Sequence, residues 1–239
     1  MLVNGRNAAT VRRMSLIHDN IENVKSKIAA AVASSRRPVD AVELLAVSKT
    51  FPADVIRDAV DAGLRLFGEN KVQELMTKQP LLPSNLQWHL IGHLQTNKIR
   101  KILPVVDVIQ SVDSLALAGD INRIATEIGL FPKVYLEVNV AAEASKFGFA
   151  PAALESQMED LFKLARLEIQ GLMCIPPAAP DPEESRKYFV FLREFRDRLE
   201  KQSRAPFPGL SMGMSHDYEV AIEEGATVVR VGSAIFGGR

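Results

Sequence analysis

From Ser15 to about Ala33, apolar residues recur at helical spacing (Leu16, Ile17, Ile21, Val24, Ile28, Val32) with Asp19, Glu22, Lys25 and Lys27 between them. This predicts one amphipathic helix. Beyond it the period changes to short apolar runs at about 42–49, 65–69, 86–91, 105–111, 133–140, 167–174, 209–212 and 227–231. Helical stretches such as "ADVIRDAVDAG", "SLALAGDINRIATEIG" and "PEESRKYFVFLREFRDRLE" separate them. Eight strands alternating with helices imply parallel βαβ units, and in this length they fit a single closed (β/α)₈ (TIM) barrel with an N-terminal helix. A doubly wound open sheet is the alternative.

The first fourteen residues, "MLVNGRNAATVRRM", carry arginines and no acid. They lack the apolar core of a secretory signal and read as a flexible extension, with Met14 a candidate natural start. Residues 15–239 then form one barrel domain, since no compositional break marks a linker. At 239 residues and 47% hydrophobic, the chain can bury a sizeable core. Its 29 basic residues equal its 29 acidic ones, so no global field draws nucleic acid or an anionic membrane. No apolar run approaches the roughly 20 residues of a membrane helix. One cysteine, Cys174, rules out an internal disulfide framework and fits a reducing compartment, which makes the cytoplasm the expected location.

In such a barrel the chemistry sits at the carboxyl ends of the strands, often with a phosphate site after strands 7 and 8. The seventh predicted strand runs into "LSMGMSHD" and the eighth into "VVRVGSAIFGG", so Gly213, Ser215, Gly232 and Ser233 form a candidate phosphate cup. Closing the barrel sets strand 8 beside strand 1, whose run "LLAV" ends in Ser48 and Lys49. A phosphorylated aldehyde held by the cup would reach Lys49 and form a Schiff base, and pyridoxal phosphate (PLP) matches that description. Alternation on strand 8 points Val229 and Val231 outward and Arg230 into the barrel mouth. Arg230 then either pairs with Glu69, at the end of strand 2, or donates to a ring nitrogen of the ligand.

The blocks "LLAVSKTFP", "LFGENKVQE", "WHLIGHLQTNK", "IQSVDS", "EVNVAAEASKFGF", "GLMCIPP", "LSMGMSHDYEVAI" and "VVRVGSAIFG" follow one another over about residues 15 to 237. In that order they resemble the pyridoxal phosphate homeostasis protein family. The resemblance implies a barrel similar to the alanine racemase N-terminal domain, called fold type III among pyridoxal enzymes. It implies that Lys49 carries PLP as an internal aldimine, that Ser215 with the Gly232–Ser233 loop holds the phosphate, that Met214 belongs to the cofactor site, and that Arg230 faces the pyridine nitrogen. It further places Asn70, His89 and Ser111 near the ring. Lys71, Gln110 and Ser233 depart from the usual tyrosine, histidine and threonine; the serine keeps the hydroxyl, whereas Lys71 adds a cation near the mouth.

The implied activity is a non-catalytic carrier that keeps free PLP low and supplies apo forms of PLP-dependent enzymes, expected to be a monomer. An amino-acid racemase or decarboxylase on the same barrel is the rival. It is disfavoured because the sequence ends just after strand 8, without the second domain that gives alanine racemase its opposing base, and because Tyr135, Tyr188 and Tyr218 fall in strand 5 and two helices. A lysine-dependent sugar-phosphate aldolase is permitted by barrel physics alone. His89 and His93, four apart across Gly92, lack a carboxylate at metal-motif spacing, so zinc is not expected. Cys174 reads as packing, and Lys146 reads as either a guard of the mouth or a plain loop lysine.

Overall fold

The computed structural model describes residues 8–143 and 146–238. Eight parallel strands close into a barrel in sequence order: β1 (Glu43–Val47), β2 (Leu66–Glu69), β3 (Gln87–Leu90), β4 (Val108–Val112), β5 (Lys133–Glu137), β6 (Glu168–Met173), β7 (Gly209–Met214) and β8 (Val228–Val231). Each lies within a predicted apolar run or overshoots it by one or two residues. The helices are α1 (Ala8–Ser34), α2 (Ala53–Asp61), α3 (Val72–Lys78), α4 (Ile99–Ile102), α5 (Leu115–Ile128), α6 (Pro151–Phe162), α7 (Arg186–Ser203), α8 (Tyr218–Glu223) and α9 (Ser233–Phe236). The last pairing, β8 with β1, sets Leu45 opposite Arg230 and Ala46 opposite Val231, which closes the sheet and brings the two strand ends side by side.

Alternation sorts the side chains into two cores. Outward residues such as Ala46, Phe67, Trp88, Leu136, Leu172, Leu210, Val229 and Val231 join the helices in the larger core, while Leu45, Val47, Ile91, Val108, Tyr135, Met173 and Val228 fill the barrel. Gly68 faces inward against Leu45: a Cβ there would lie 2.3 Å from Leu45 Cδ2. Its neighbours Phe67 and Glu69 must therefore face the helices, which removes Glu69 from the side of Arg230.

The helix expected from Ser15 begins at Ala8, so residues 8–14 are helical rather than a flexible extension; residues 1–7 lie outside the described residues. Its apolar period does begin where expected: Ile17, Ile21, Val24, Ile28 and Val32 are buried, though Leu16 is exposed. The early turns are held by charge instead. Arg13 Nε lies 2.6 Å from Asp58 and its Nη1 2.9 Å from Asp54, both on α2. Further along, Asn20 Nδ2 donates to the Ile235 carbonyl at 2.9 Å, tying α1 to α9. The N-terminal helix thus spans the seam where β8 meets β1.

Candidate functional site

A cavity of about 390 Å³ opens at the carboxyl end of the barrel, lined by Lys49, Asn70, Met214, Ser215, Arg230, Gly232 and Ser233 among others. Its volume falls in the usual range for small-ligand sites, about 300–1,000 Å³. Seven of the nine residues expected at the site share this lining. Val47, Phe51, Ile91 and Ile175 supply apolar walls, and Phe51 packs on Phe236 with ring centroids 5.0 Å apart.

Lys49 follows the end of β1 by two residues, in the loop that leads to α2. Asn70 follows β2 directly, and its backbone is crowded by Gly92: a Cβ on Gly92 would sit 2.3 Å from the Asn70 carbonyl oxygen. Only glycine allows the β3 loop to lie this close and fix Asn70 against the cavity.

The loop after β7 is pinned by Asp217, which accepts from the Met214 amide at 2.7 Å and donates its own amide to the Met214 carbonyl at 3.1 Å. Gly213 before it has φ +88, and a Cβ would lie 2.5 Å from that of Ala221. The turn aims Ser215 at the start of α9, where Ser215 Oγ accepts from the Gly232 amide at 3.0 Å and from the Ala234 amide at 3.4 Å. Those two donors bind the serine rather than standing open, so the cup is a linked unit of two loops. With its oxygen accepting from the amides, the Ser215 hydroxyl keeps its proton for an acceptor in the cavity.

Arg230 is buried, with Nη1 donating to Ser211 Oγ and Nη2 to the Cys174 carbonyl, each at 2.7 Å. Burial lowers its pKa, while Cys174, Glu137 and Asp217 work the other way; a guanidinium starts high enough to remain charged. It makes no pair with Glu69, which instead binds Lys78 at 2.8 Å.

His89 and Ser111 do not reach the cavity. Inside the barrel Ser211 donates to Gln110 Oε1 at 2.7 Å, and Gln110 Nε2 lies 2.8 Å from His89 Nδ1. The chain Arg230–Ser211–Gln110–His89 thus satisfies four buried polar groups. His89 faces a separate cavity of about 340 Å³ at the strand starts, with Glu43, Gln87 and Lys133. That cavity shares no lining residue with the one at Lys49, and the His89 ring is tied to Gln110 inside the barrel. Ser111 sits at an irregularity in β4 and donates to the Gly92 carbonyl at 2.7 Å, supporting the loop that crowds Asn70. Lys71 is exposed at the start of α3 and outside the lining, and Lys146 pairs with Glu143 at 3.0 Å; positions 144 and 145 lie outside the described residues. Cys174 is buried, its thiol pushed up to about 12 by burial, as suits a packing residue. His93 stacks on Phe147 and lies 2.9 Å from Asp113.

Glu137, at the end of β5, was not among the expected residues. Burial, and then Asp113, push its carboxyl up to about 7, with Arg230 pulling against them. The folded protein therefore holds a proton that the unfolded chain releases above about pH 4.5, and stability falls as the pH rises toward 7. His89 works in the opposite sense: burial pulls it down to about 4, so stability is lost as the pH falls from 6.5 toward 4. The two contributions oppose each other where they overlap. In Glu137→Gln the opposing Glu137 contribution is gone, and urea unfolding of ligand-free protein should show stability rising more steeply than in the parent, by up to about 1 kcal/mol per pH unit between pH 4.5 and 6.5. Parallel profiles for the variant and the parent would show that Glu137 is not held protonated.

The family described as alanine racemase, N-terminal domain, matches residues 19–239. The pyridoxal phosphate homeostasis protein of Aquifex aeolicus (strain VF5) is 42% identical over 222 residues, covering 92% of this chain and 97% of that protein. The chain belongs to the pyridoxal phosphate homeostasis protein family. The member from Escherichia coli (strain K12) is 40% identical over 232 residues, 95% of this chain and 98% of its own length. PipY of Synechococcus elongatus PCC7942, solved with PLP bound, superimposes with a TM-score of 0.79 at 44% identity, covering 88% of this chain and all of PipY. Alanine racemase of Clostridium difficile 630 shares the fold at 16% identity with a TM-score of 0.76, over 94% of this chain and 57% of the racemase. Among the described residues, no helix is long and apolar enough to cross a membrane.

Proposed function

We propose that this chain binds PLP in the Lys49 cavity and serves as an intracellular PLP carrier that supplies apo-enzymes without efficient amino-acid turnover. One observation carries the reading: a lysine, a buried arginine and the linked Ser215–Gly232 loops converge on one cavity. The names of the relatives and the PLP in PipY support it. We also propose a monomer working in the cytoplasm, in keeping with balanced charge and a single buried cysteine.

The residues fit the group. The Ser215 hydroxyl and the Gly232–Ser233 loop would take the phosphate, Arg230 the pyridine nitrogen, Asn70 the ring's edge, and Lys49 Nζ the aldehyde carbon. When bound, PLP supplies an electrophilic carbonyl and a ring that can withdraw electrons from an attached amino acid. Arg230 limits the second property, because a guanidinium donor facing the ring nitrogen keeps that nitrogen unprotonated. No tyrosine lines the cavity to oppose Lys49: Tyr135 is packed inside the barrel, and Tyr188 and Tyr218 sit on α7 and α8.

Holo-protein incubated with L-alanine and followed by chiral chromatography should therefore give at most trace D-alanine. Turnover in the common enzymatic range of about 1–10³ s⁻¹ would overturn the carrier reading in favour of a racemase. Mixing holo-protein with an apo form of a PLP-dependent enzyme should restore that enzyme's activity.

A further inference from the structure

Both peptide groups that flank Lys49 are gripped by side chains from outside the barrel. On one side, the Ser48 carbonyl accepts from Lys78 Nζ at 3.1 Å; on the other, the Thr50 amide donates to Glu74 Oε2 at 2.8 Å. The two grips are one assembly, since Lys78 Nζ also contacts Glu74 Oε2 at 3.1 Å and Glu69 Oε1 at 2.8 Å. Ser48 Oγ adds a bond to the same Glu69 oxygen at 2.8 Å. Lys78 thereby spends all three ammonium donors, which explains a lysine with a side chain only 10% exposed.

Thr50 has φ +71. A β-branched residue in the left-handed region is strained and persists only where its surroundings enforce it. Here the enforcing contact is the charged Glu74 carboxylate on its amide, together with the Phe51 amide turning back to the Ser48 carbonyl at 3.1 Å.

We propose that Glu74 and Lys78 are positioning residues for Lys49: they clamp the peptides on either side of it and hold Thr50 in the turn that presents Lys49 to the cavity. The inference rests on the PLP reading above. The clamp serves the covalent step, in which Lys49 Nζ bonds to the aldehyde carbon while the carbonyl oxygen leaves as water with the two amine hydrogens. It has no contact with the phosphate or ring sites.

This separates two ligands. Pyridoxine 5′-phosphate has the same ring and phosphate but an alcohol in place of the aldehyde, so it uses the cavity without bonding to Lys49. Glu74→Gln, which loses the charge that grips Thr50, should weaken PLP binding about ten- to a hundredfold and leave pyridoxine 5′-phosphate within about twofold of the parent. Glu74→Asp, too short by one methylene to reach the Thr50 amide, should show the same selective loss. Thr50→Gly added to Glu74→Gln should recover much of it, because glycine enters the left-handed turn without being held there; a purely structural defect would worsen with the added glycine. If the parent protein prefers the aldehyde and Glu74→Gln keeps that preference, or loses both ligands equally, the clamp is refuted while the PLP reading stands. If the parent shows no preference for the aldehyde, the covalent step and the clamp that serves it are refuted; if the parent binds neither phosphate ester, the PLP reading fails as well.

Discussion

Replacing Lys49 with alanine should abolish covalent retention of PLP altogether while leaving the fold intact. Lys49 is the sole lysine in the cavity lining, and the Ser215 and Arg230 groups lie in that same lining. Borohydride added to the parent holo-protein should fix a pyridoxyl group on Lys49, read by peptide mass mapping. Lys78 is no competitor, since its ammonium is committed to Ser48, Glu69 and Glu74. Lys71 and Lys146 stand outside the lining, so label found chiefly on either would reject the assignment. The unfolding temperature should move little, because Lys49 sits at a partly exposed mouth and contributes little apolar burial.

The barrel is legible because its outward strand positions and its helix faces carry a largely apolar period, broken at few places such as Glu69. Lys49, Ser215 and Gly232 were legible for a related reason: they interrupt that period at strand ends, where sheet geometry leaves a side chain facing the mouth. What escaped was written in polar residues within the strands. Gln110 and Ser211 lie on β4 and β7, three strands apart around the barrel, and only its closure makes them partners of one arginine and one histidine. Their spacing along the chain carries no trace of this. The Arg230–Glu69 pair stays an open alternative in the sequence because parity on a four-residue strand is ambiguous until Gly68 is seen packed against Leu45. The missed start of α1 has another cause: its first turns are secured by Arg13 on Asp54 and Asp58, a tertiary contact that no helical period reports.

The phosphate should dominate recognition, so pyridoxal without it should bind at least about a hundredfold more weakly than PLP. Charge-assisted hydrogen bonds contribute roughly 1.5–3 kcal/mol each, and two such bonds give about that ratio even at the lower bound. The donors are preorganised: Asp217 fixes the β7 turn, Ser215 Oγ joins that turn to Gly232, and Gly232 lies so close to β1 that a Cβ would be 3.2 Å from the Val47 carbonyl oxygen. Ser215→Ala has a smaller expected effect than its place in the site suggests. It removes one hydroxyl donor, but it also releases the Gly232 and Ala234 amides that the serine oxygen now occupies, and both can turn to the phosphate. A loss of about tenfold is therefore expected for Ser215→Ala with PLP, and almost none with pyridoxal. Calorimetric titration of both proteins with both ligands measures the four affinities. Equal binding of PLP and pyridoxal by the parent would move the phosphate out of the Ser215–Gly232 cup.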